Sequence, residues 1–310
     1  MKQFTVSENE EGRRLDKFIR GILKDAPQSF AYKMLRKKNI VLNGKKAGGN
    51  ETVHAGDTVT FYLSDDTFDK FTSSSSADSG LLSKVPPIIY EDNDIIIADK
   101  PAGMLTQKSS ANDISLNEIL NAYIGSDSTE ASFTPSVCNR LDRNTSGLVT
   151  FAKTLKGAKY LSDAFKKRTV GKYYTCMVSG KITEDITLSG KLLKDSKTNT
   201  VSINDKSGKG ADITTVIHPV STKGDISLLE IKLITGKTHQ IRAHLASIGH
   251  PIIGDAKYGD TAVNDKYRKM YGITCQMLTC TRMEFCDDDC LAVSGKTIET
   301  VIPLSFKKVM

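Results

Sequence analysis

The chain has 310 residues, 39% of them hydrophobic and 25% charged, with a net charge of +7 and a pI near 8.9. That length suits two domains, or one domain with an appendage, and the composition is ordinary for a soluble globular protein. No apolar run reaches membrane-spanning length and the start, MKQFTVSENEEGRR, lacks a signal-peptide core, so a cytoplasmic location is expected.

The basic excess is concentrated near the start of the chain. Arg13 to Leu63 holds eleven Lys/Arg against four Asp/Glu, an excess of seven that equals the whole chain's. A small unit so charged suits a polyanion, most often nucleic acid; a solvated basic surface is the plainer alternative. Within it, Leu15, Phe18, Ile19, Ile22 and Leu23 fall on one face of a helix that Pro27 ends. A second helix, from about Phe30 to Lys38, would bury Ala31, Met34 and Leu35 and expose Lys33, Arg36, Lys37 and Lys38. IVLNGKKA reads as two short strands around an Asn43-Gly44 hairpin turn, with Lys45 beside it, and AGDTVTFYL as a closing strand. Gly12 to Leu63 resembles the RNA-binding domain first named from the fourth protein of the small ribosomal subunit. That resemblance implies binding of structured RNA by the second helix and the hairpin, through Lys33, Arg36, Lys37, Lys38 and Lys45.

Residues 64–87, with the polar run SSSSADSG and Pro86-Pro87, read as a linker that would let two units dock independently. From Ile88 the pattern changes to IIYEDNDIIIADKP, a strand, turn and strand. Ser115 and Glu118 stand at capping-box spacing ahead of a helix in LNEILNAYI. GLVTFAK is a strand and LKGAKYLSDAFKK a helix on Leu155, Ala158, Leu161 and Phe165. KYYTCMVSG, ADITTVIHPV and ISLLEIKLI are further strands, and Thr238 to Ser247 a helix ended by Gly249. Strands outnumber helices and the crossovers are irregular. The expected fold is α+β, with a large, mainly antiparallel mixed sheet and flanking helices over residues 88–310, beside the small α/β unit at 12–63.

The six cysteines (Cys138, Cys176, Cys275, Cys280, Cys286, Cys290) show no C-x-x-C spacing, and buried strand thiols are expected rather than a zinc site or disulfides. TGKTH looks like the tail of a phosphate-binding loop, but Ile231 stands where the first glycine is needed. His239 and His244 lack the intervening glutamate of a zinc protease.

The chemistry centres on NRLDRNTSGLV, residues 139–149. Asp142 lies between Arg140 and Arg143, a setting expected to favour its ionised form and to suit covalent attack or charge stabilisation rather than proton donation. The turn Asn144–Gly147 would mount it rigidly ahead of a buried strand. A structural ion pair on a loop is the bland alternative. Four motifs in order then carry a resemblance to pseudouridine synthases of the RluA type, which act on ribosomal and transfer RNA. These are Lys100-Pro101-Ala102-Gly103, RLDRNTSGLV, KYYTCMVSG, and LITGKTHQIRAHLASIGHPIIGDAKYG.

The resemblance implies that Asp142 is the essential carboxylate in a reaction that breaks the glycosidic bond of uridine, turns the uracil and rejoins it through carbon five. It places the family's active-site tyrosine at Tyr174, stacked on a flipped-out uracil, and its arginine at Arg242, paired with Asp142, with Ile241 against the base. Arg140 and Arg143 would hold phosphates and the loop itself. The reaction is redox-neutral, so no metal or cofactor is expected. The partner is RNA, with large-subunit ribosomal RNA favoured and transfer RNA open, and the chain is expected to act as a monomer away from membranes. Asn139, Asn144, Lys237 and Cys176 stand where relatives commonly carry His, Asp, Arg and Ala, which bears on the RNA target rather than the reaction. Two other readings compete: a catalytically silent RNA-binding protein, and an N-glycosidase. The latter needs a second carboxylate, for which Asp99 and Asp255 are candidates only by proximity to motifs.

Overall fold

A computed structural model of the chain describes residues 1–72, 79–110, 112–125, 132–195, 200–203, 210–286 and 290–310. The first unit comprises β1 (Lys2–Thr5), α1 (Leu15–Ile22), α2 (Gln28–Arg36), β2 (Ile40–Leu42), β3 (Thr58–Phe61) and α3 (Asp65–Thr72). Its three strands are antiparallel in the order β1-β3-β2. The apolar face of α1 packs on Ala31, Met34 and Leu35 of α2 and on Phe61.

Three sequence expectations change here. The unit starts before Gly12, because Lys2 to Thr5 pair with Phe61 to Thr58 and Phe4 packs on Phe61 and Phe68. The return strand after Asn43-Gly44 shrinks to one bridge, Leu42 to Lys45. The turn is tied instead to β3, since Asn43 Oδ1 accepts the Thr58 N–H at 2.8 Å and its Nδ2 donates to Asp57 at 2.7 Å. The segment read as a linker also contains α3, whose Phe68 is buried in the unit's core, and α4 (Ser79–Leu82). Phe68 and Phe71 in an acidic, polar run are too few to announce that helix. Residues 73–78, most of the serine run, lie outside the described residues.

The larger unit continues with β4 (Ile88–Glu91), β5 (Ile95–Lys100), α5 (Leu116–Ile124), β6 (Ser136–Val137), β7 (Ser146–Ala152) and α6 (Leu155–Lys167). Next come β8 (Val170–Ser179), β9 (Ile186–Asp195), β10 (Thr200–Ile203), β11 (Ala211–Lys223) and β12 (Ile226–Leu233). The chain closes with α7 (Gln240–Ser247), α8 (Thr261–Tyr271), β13 (Leu278–Phe285), β14 (Thr297–Glu299) and α9 (Leu304–Val309). Among the described residues these form an eleven-stranded sheet, β10-β9-β11-β12-β8-β13-β7-β5-β4, with β14 on β13 and β6 on β7. Every pairing is antiparallel except β13 with β7. This is the α+β class that the strand-rich pattern predicts. Cys176 and Cys280 are buried strand thiols as expected, whereas Cys286 and Cys290 are exposed. Among the described residues no helix is long and apolar enough to cross a membrane.

The two units touch. The buried Glu10 carboxylate accepts the Ser132 backbone N–H at 3.2 Å and its hydroxyl, and Arg13 donates to the same hydroxyl at 2.5 Å. Lys159 on α6 donates to the Asn9 and Glu11 carbonyls at 3.3 and 3.5 Å. Gly21 lies against the Ser132 backbone, where a Cβ would overlap it. The small unit is therefore seated on the larger one, which corrects the expectation of independent docking.

Candidate active site

Asp142 sits on the turn between β6 and β7. The Thr145 N–H donates to the Asp142 carbonyl at 3.1 Å and closes that turn, and Gln276 donates to the Thr145 hydroxyl at 2.8 Å. Gly147 follows with φ +109°, and any Cβ there would overlap the backbone of Cys280 on β13, with which it is paired in parallel register. Glycine is thus required both by its conformation and by the close approach of the neighbouring strand. Upstream, Asn139 Oδ1 accepts from the N–H and hydroxyl of Thr150 at 2.7 and 3.0 Å, so Asn139 holds the turn's entry.

A second loop braces the first. Lys100 is fully buried, and its ammonium donates to the carbonyls of Pro101, Met104 and Arg143 at 3.1, 2.8 and 3.2 Å. Burial pulls the Lys100 pKa down to about 8, opposed by the nearby Asp142 charge. The Gly103 N–H donates to the Arg143 carbonyl at 2.8 Å while Arg143 Nε donates to the Gly103 carbonyl at 3.1 Å. The Lys-Pro-Ala-Gly motif therefore works on Asp142 through the backbone beside it.

Arg242, on α7, is 5% exposed and donates through Nη1 to Asp142 Oδ2 at 2.8 Å. Its other edge is clamped by Asp255, which is fully buried: Nε to Oδ2 at 2.7 Å and Nη2 to Oδ1 at 2.8 Å. Burial alone would push the Asp255 carboxyl up. The hydrogen bonds and charge of Arg242, with the N–H groups of Lys257 and Tyr258, bring it below its ordinary value instead. Oδ1 of Asp142 makes no hydrogen bond among the described residues, and the side chain is 25% exposed to the cleft.

The start of α7 is fixed by Gln240, buried among three threonines. It donates to the Thr214 carbonyl and Thr215 hydroxyl at 3.0 Å each and accepts from the Thr235 hydroxyl at 2.9 Å. His239, just before the helix, is held at φ +55°, which costs an L-residue about 1–2 kcal/mol. Its Nε2 lies 3.8 Å from Asp142 Oδ2.

These groups open onto a cleft of about 1120 Å³. Tyr174, on β8, and Ile241, on α7, line it, each 5% exposed. Burial, aided by the Asp142 charge, pushes the Tyr174 phenol well above its ordinary pKa, so it stays protonated. Eleven Lys/Arg side chains line the cleft, Arg140, Arg143, Arg168, Lys172 and Lys237 among them. Asp142 is the single carboxylate among the described lining residues.

The structure thus brings Asp142, Tyr174, Ile241, Arg242, Arg140 and Arg143 to one cleft. Among the described residues Asp142 forms its arginine ion pair with the distant Arg242, the partner that the resemblance implied, and not with the flanking Arg140 or Arg143. The basic cleft wall has no counterpart in the sequence reading, and Asp255, considered there only as a second carboxylate for a glycosidase, proves to be the clamp on Arg242. Asp255 carried one signal, a carboxylate embedded in the apolar run HPIIGDA, where burial demands a cationic partner. Asp99 is not among the described residues that line this cleft and accepts the Thr300 hydroxyl at 2.6 Å. With Asp255 saturated by Arg242, neither supplies the second carboxylate that a glycosidase needs.

A family model described as RNA pseudouridylate synthase matches residues 94–247, the segment that holds the Asp142 turn, Tyr174 and Arg242. The ribosomal large subunit pseudouridine synthase C of Vibrio cholerae is 31% identical over 304 residues, covering 96% of this chain and 92% of that protein. The protein of the same name from Rickettsia bellii is 35% identical over 264 residues, covering 82% and 83%. The human RNA pseudouridylate synthase domain containing 4 protein shares the fold, with a TM-score of 0.58 at 19% identity over 74% of this chain and 92% of that one. On these matches the chain belongs to the RluA-type family of RNA pseudouridine synthases, isomerases that convert uridine to pseudouridine in RNA.

Proposed function

We propose that this chain isomerises specific uridines of large-subunit ribosomal RNA, with Asp142 as the essential carboxylate. The observation that carries the reading is a lone carboxylate in a cleft of eleven cations, one of its oxygens held by a buried arginine and the other turned to the open space. A polyanionic strand is drawn to such a wall, and a preorganised anion at its centre meets the sugar or base of a flipped nucleotide. The names of the bacterial relatives support the ribosomal target. Pseudouridine mapping of total RNA from cells with and without the gene tests it. Loss of marks in large-subunit RNA is expected, and loss confined to transfer RNA would redirect the reading.

In this reading Arg242 fixes the direction of Asp142, Ile241 packs on the base, and Arg140 and Arg143 meet phosphates of the target strand. Tyr174 stacks on the uracil. Tyr174→Phe keeps the ring and is expected to retain well over ten times the activity of Tyr174→Ala, about the scale on which a stacked base contributes. Equal, mild losses in single-turnover assays would move the stacking role elsewhere. The reaction needs no cofactor or metal, and the protein acts as a cytoplasmic monomer.

The small basic unit is proposed as the RNA-binding domain that its sequence resembles, and residues 88–310 as the catalytic domain. Lys33, Arg36, Lys37, Lys38 and Lys45 are all exposed, which leaves their charges available to phosphates. Neutralising Lys33, Arg36 and Lys37 together should weaken RNA binding. It should also flatten the salt dependence by roughly 0.7 in log–log slope per lost contact to single strands, or about 0.9 on a duplex. Turnover at saturating RNA should change little. An unchanged slope would mean that this helix faces something other than RNA.

A further inference from the structure

We propose that His239 and Tyr258 form a second positioning arm for Asp142, in which the Tyr258 hydroxyl fixes the His239 ring as its Nε2–H tautomer, facing Asp142 Oδ2. The proposal rests on the reading of Asp142 as the reacting carboxylate. It starts from a short chain of contacts outside the sequence motifs' assigned roles. The Val201 N–H donates to the Tyr258 hydroxyl oxygen at 2.8 Å, and that oxygen lies 2.9 Å from His239 Nδ1. A phenol has one proton to give, and among the described residues the only acceptor for it is Nδ1. If Nδ1 accepts, the neutral ring carries its proton on Nε2. The other side of the ring reaches the same answer independently: Nε2 is 3.8 Å from a carboxylate oxygen, where a proton is favourable and a lone pair is not.

The surroundings keep this arrangement in place. The two rings pack edge to face with centroids 5.6 Å apart, and the Arg242 guanidinium lies 5.1 Å from the Tyr258 ring centre. Tyr258 therefore touches both groups that address Asp142. The charged groups facing His239 are Asp142 and Asp255, which favour its protonation, and Arg242 and Lys257, which oppose it; burial weighs most and holds the ring below its ordinary pKa. The ring thus stays neutral near pH 7 and can keep a defined tautomer. Both arms point at Oδ2, so Oδ1 is left to act on the substrate. Because Val201 belongs to β10, the edge strand of the sheet, the seating of that edge is transmitted to the site through one hydroxyl. His239 and Tyr258 are positioning residues in this scheme and need not touch RNA.

The test uses the full-length chain with histidine labelled for long-range proton–nitrogen correlation, which reads each ring's tautomer directly. Wild type is expected to show His239 neutral with its proton on Nε2. Tyr258→Phe removes the donor to Nδ1, which frees that nitrogen for protonation. The His239 pKa and the acid limb of kcat should both move to higher pH, and kcat should fall about tenfold while RNA affinity stays within about twofold. His239→Gln retains an N–H donor of similar reach and should keep several-fold more turnover than His239→Leu. A proton on Nδ1 in the wild type would overturn the proposal, as would a Tyr258→Phe variant with wild-type kcat and acid limb. Equal loss in the two His239 variants would overturn it too. Failure of the underlying reading has a separate signature: turnover by Asp142→Asn, whatever the tautomer at His239.

Discussion

Asp142→Asn is expected to abolish turnover while leaving RNA binding within about threefold of wild type. The substitution keeps the size and shape of the side chain and leaves an oxygen for Arg242 Nη1, now 2.8 Å away, to meet. What it removes is the anionic oxygen turned to the cleft. Covalent attack on the sugar or base and abstraction of a sugar proton all require that anion, so the loss should reach at least roughly 10³-fold, the scale on which a positioned nucleophile or base contributes. Stability should change little, by about 1 kcal/mol, since Asp142 is partly exposed and Arg242 keeps its other partner. Binding should persist because the eleven cations of the cleft remain. Single-turnover formation of pseudouridine, alongside an RNA-binding isotherm, separates these effects. Residual turnover within about tenfold of wild type would rule out Asp142 as the reacting group.

Much of this site was legible from the chain because its parts are local. The turn chemistry of Asn144 to Gly147 and the continuous apolar run of β7 lie within a dozen residues, as do the capping box at Ser115 and Glu118 and the apolar face of α1. The pairing of Arg242 with Asp142 spans a hundred residues and was accessible only through the motif resemblance. What escaped were features that only folding assembles. The neighbours of Asp142 in sequence do not supply its ion pair: residues on a tight turn diverge, and Arg140 and Arg143 are exposed while the paired arginine comes from α7.

The cleft's charge escaped for a related reason. The excess of seven in Arg13 to Leu63 equals the chain's total, so the remaining residues sum to zero and look neutral in any window count. Folding then sorts their signs, placing lysines and arginines on the cleft wall and most acids elsewhere. The stretch after Gly249, including β13, which backs Gly147, carries weak periodicity and does not resolve into elements from sequence. β1 was missed because a four-residue edge strand with an alternating pattern resembles an unstructured start.

Asp255→Ala should be the most damaging change that touches no substrate. Asp255 accepts both Nε and Nη2 of Arg242 and the N–H groups of Lys257 and Tyr258, and it is fully buried. Removing it leaves a buried guanidinium with only Asp142 to neutralise it, a loss on the order of 3–5 kcal/mol for a broken buried pair. The freed Arg242 would rotate toward solvent and draw Asp142 with it, and a displacement of about 1 Å at a reacting group can cost roughly 10²-fold in kcat. Asp255→Asn retains one acceptor and should fall between the two. The pH dependence gives an independent check. The folded-state pKa of Asp255 lies below its unfolded value near 3.9, so its contribution is complete above about pH 4 and is lost as the pH falls through the folded value. The stability gap between wild type and Asp255→Asn, measured by denaturant unfolding, should therefore be constant from pH 8 to about 5 and narrow below it. A gap that is small at neutral pH, or one that widens in acid, would mean that the Arg242–Asp255 clamp does not hold the site together.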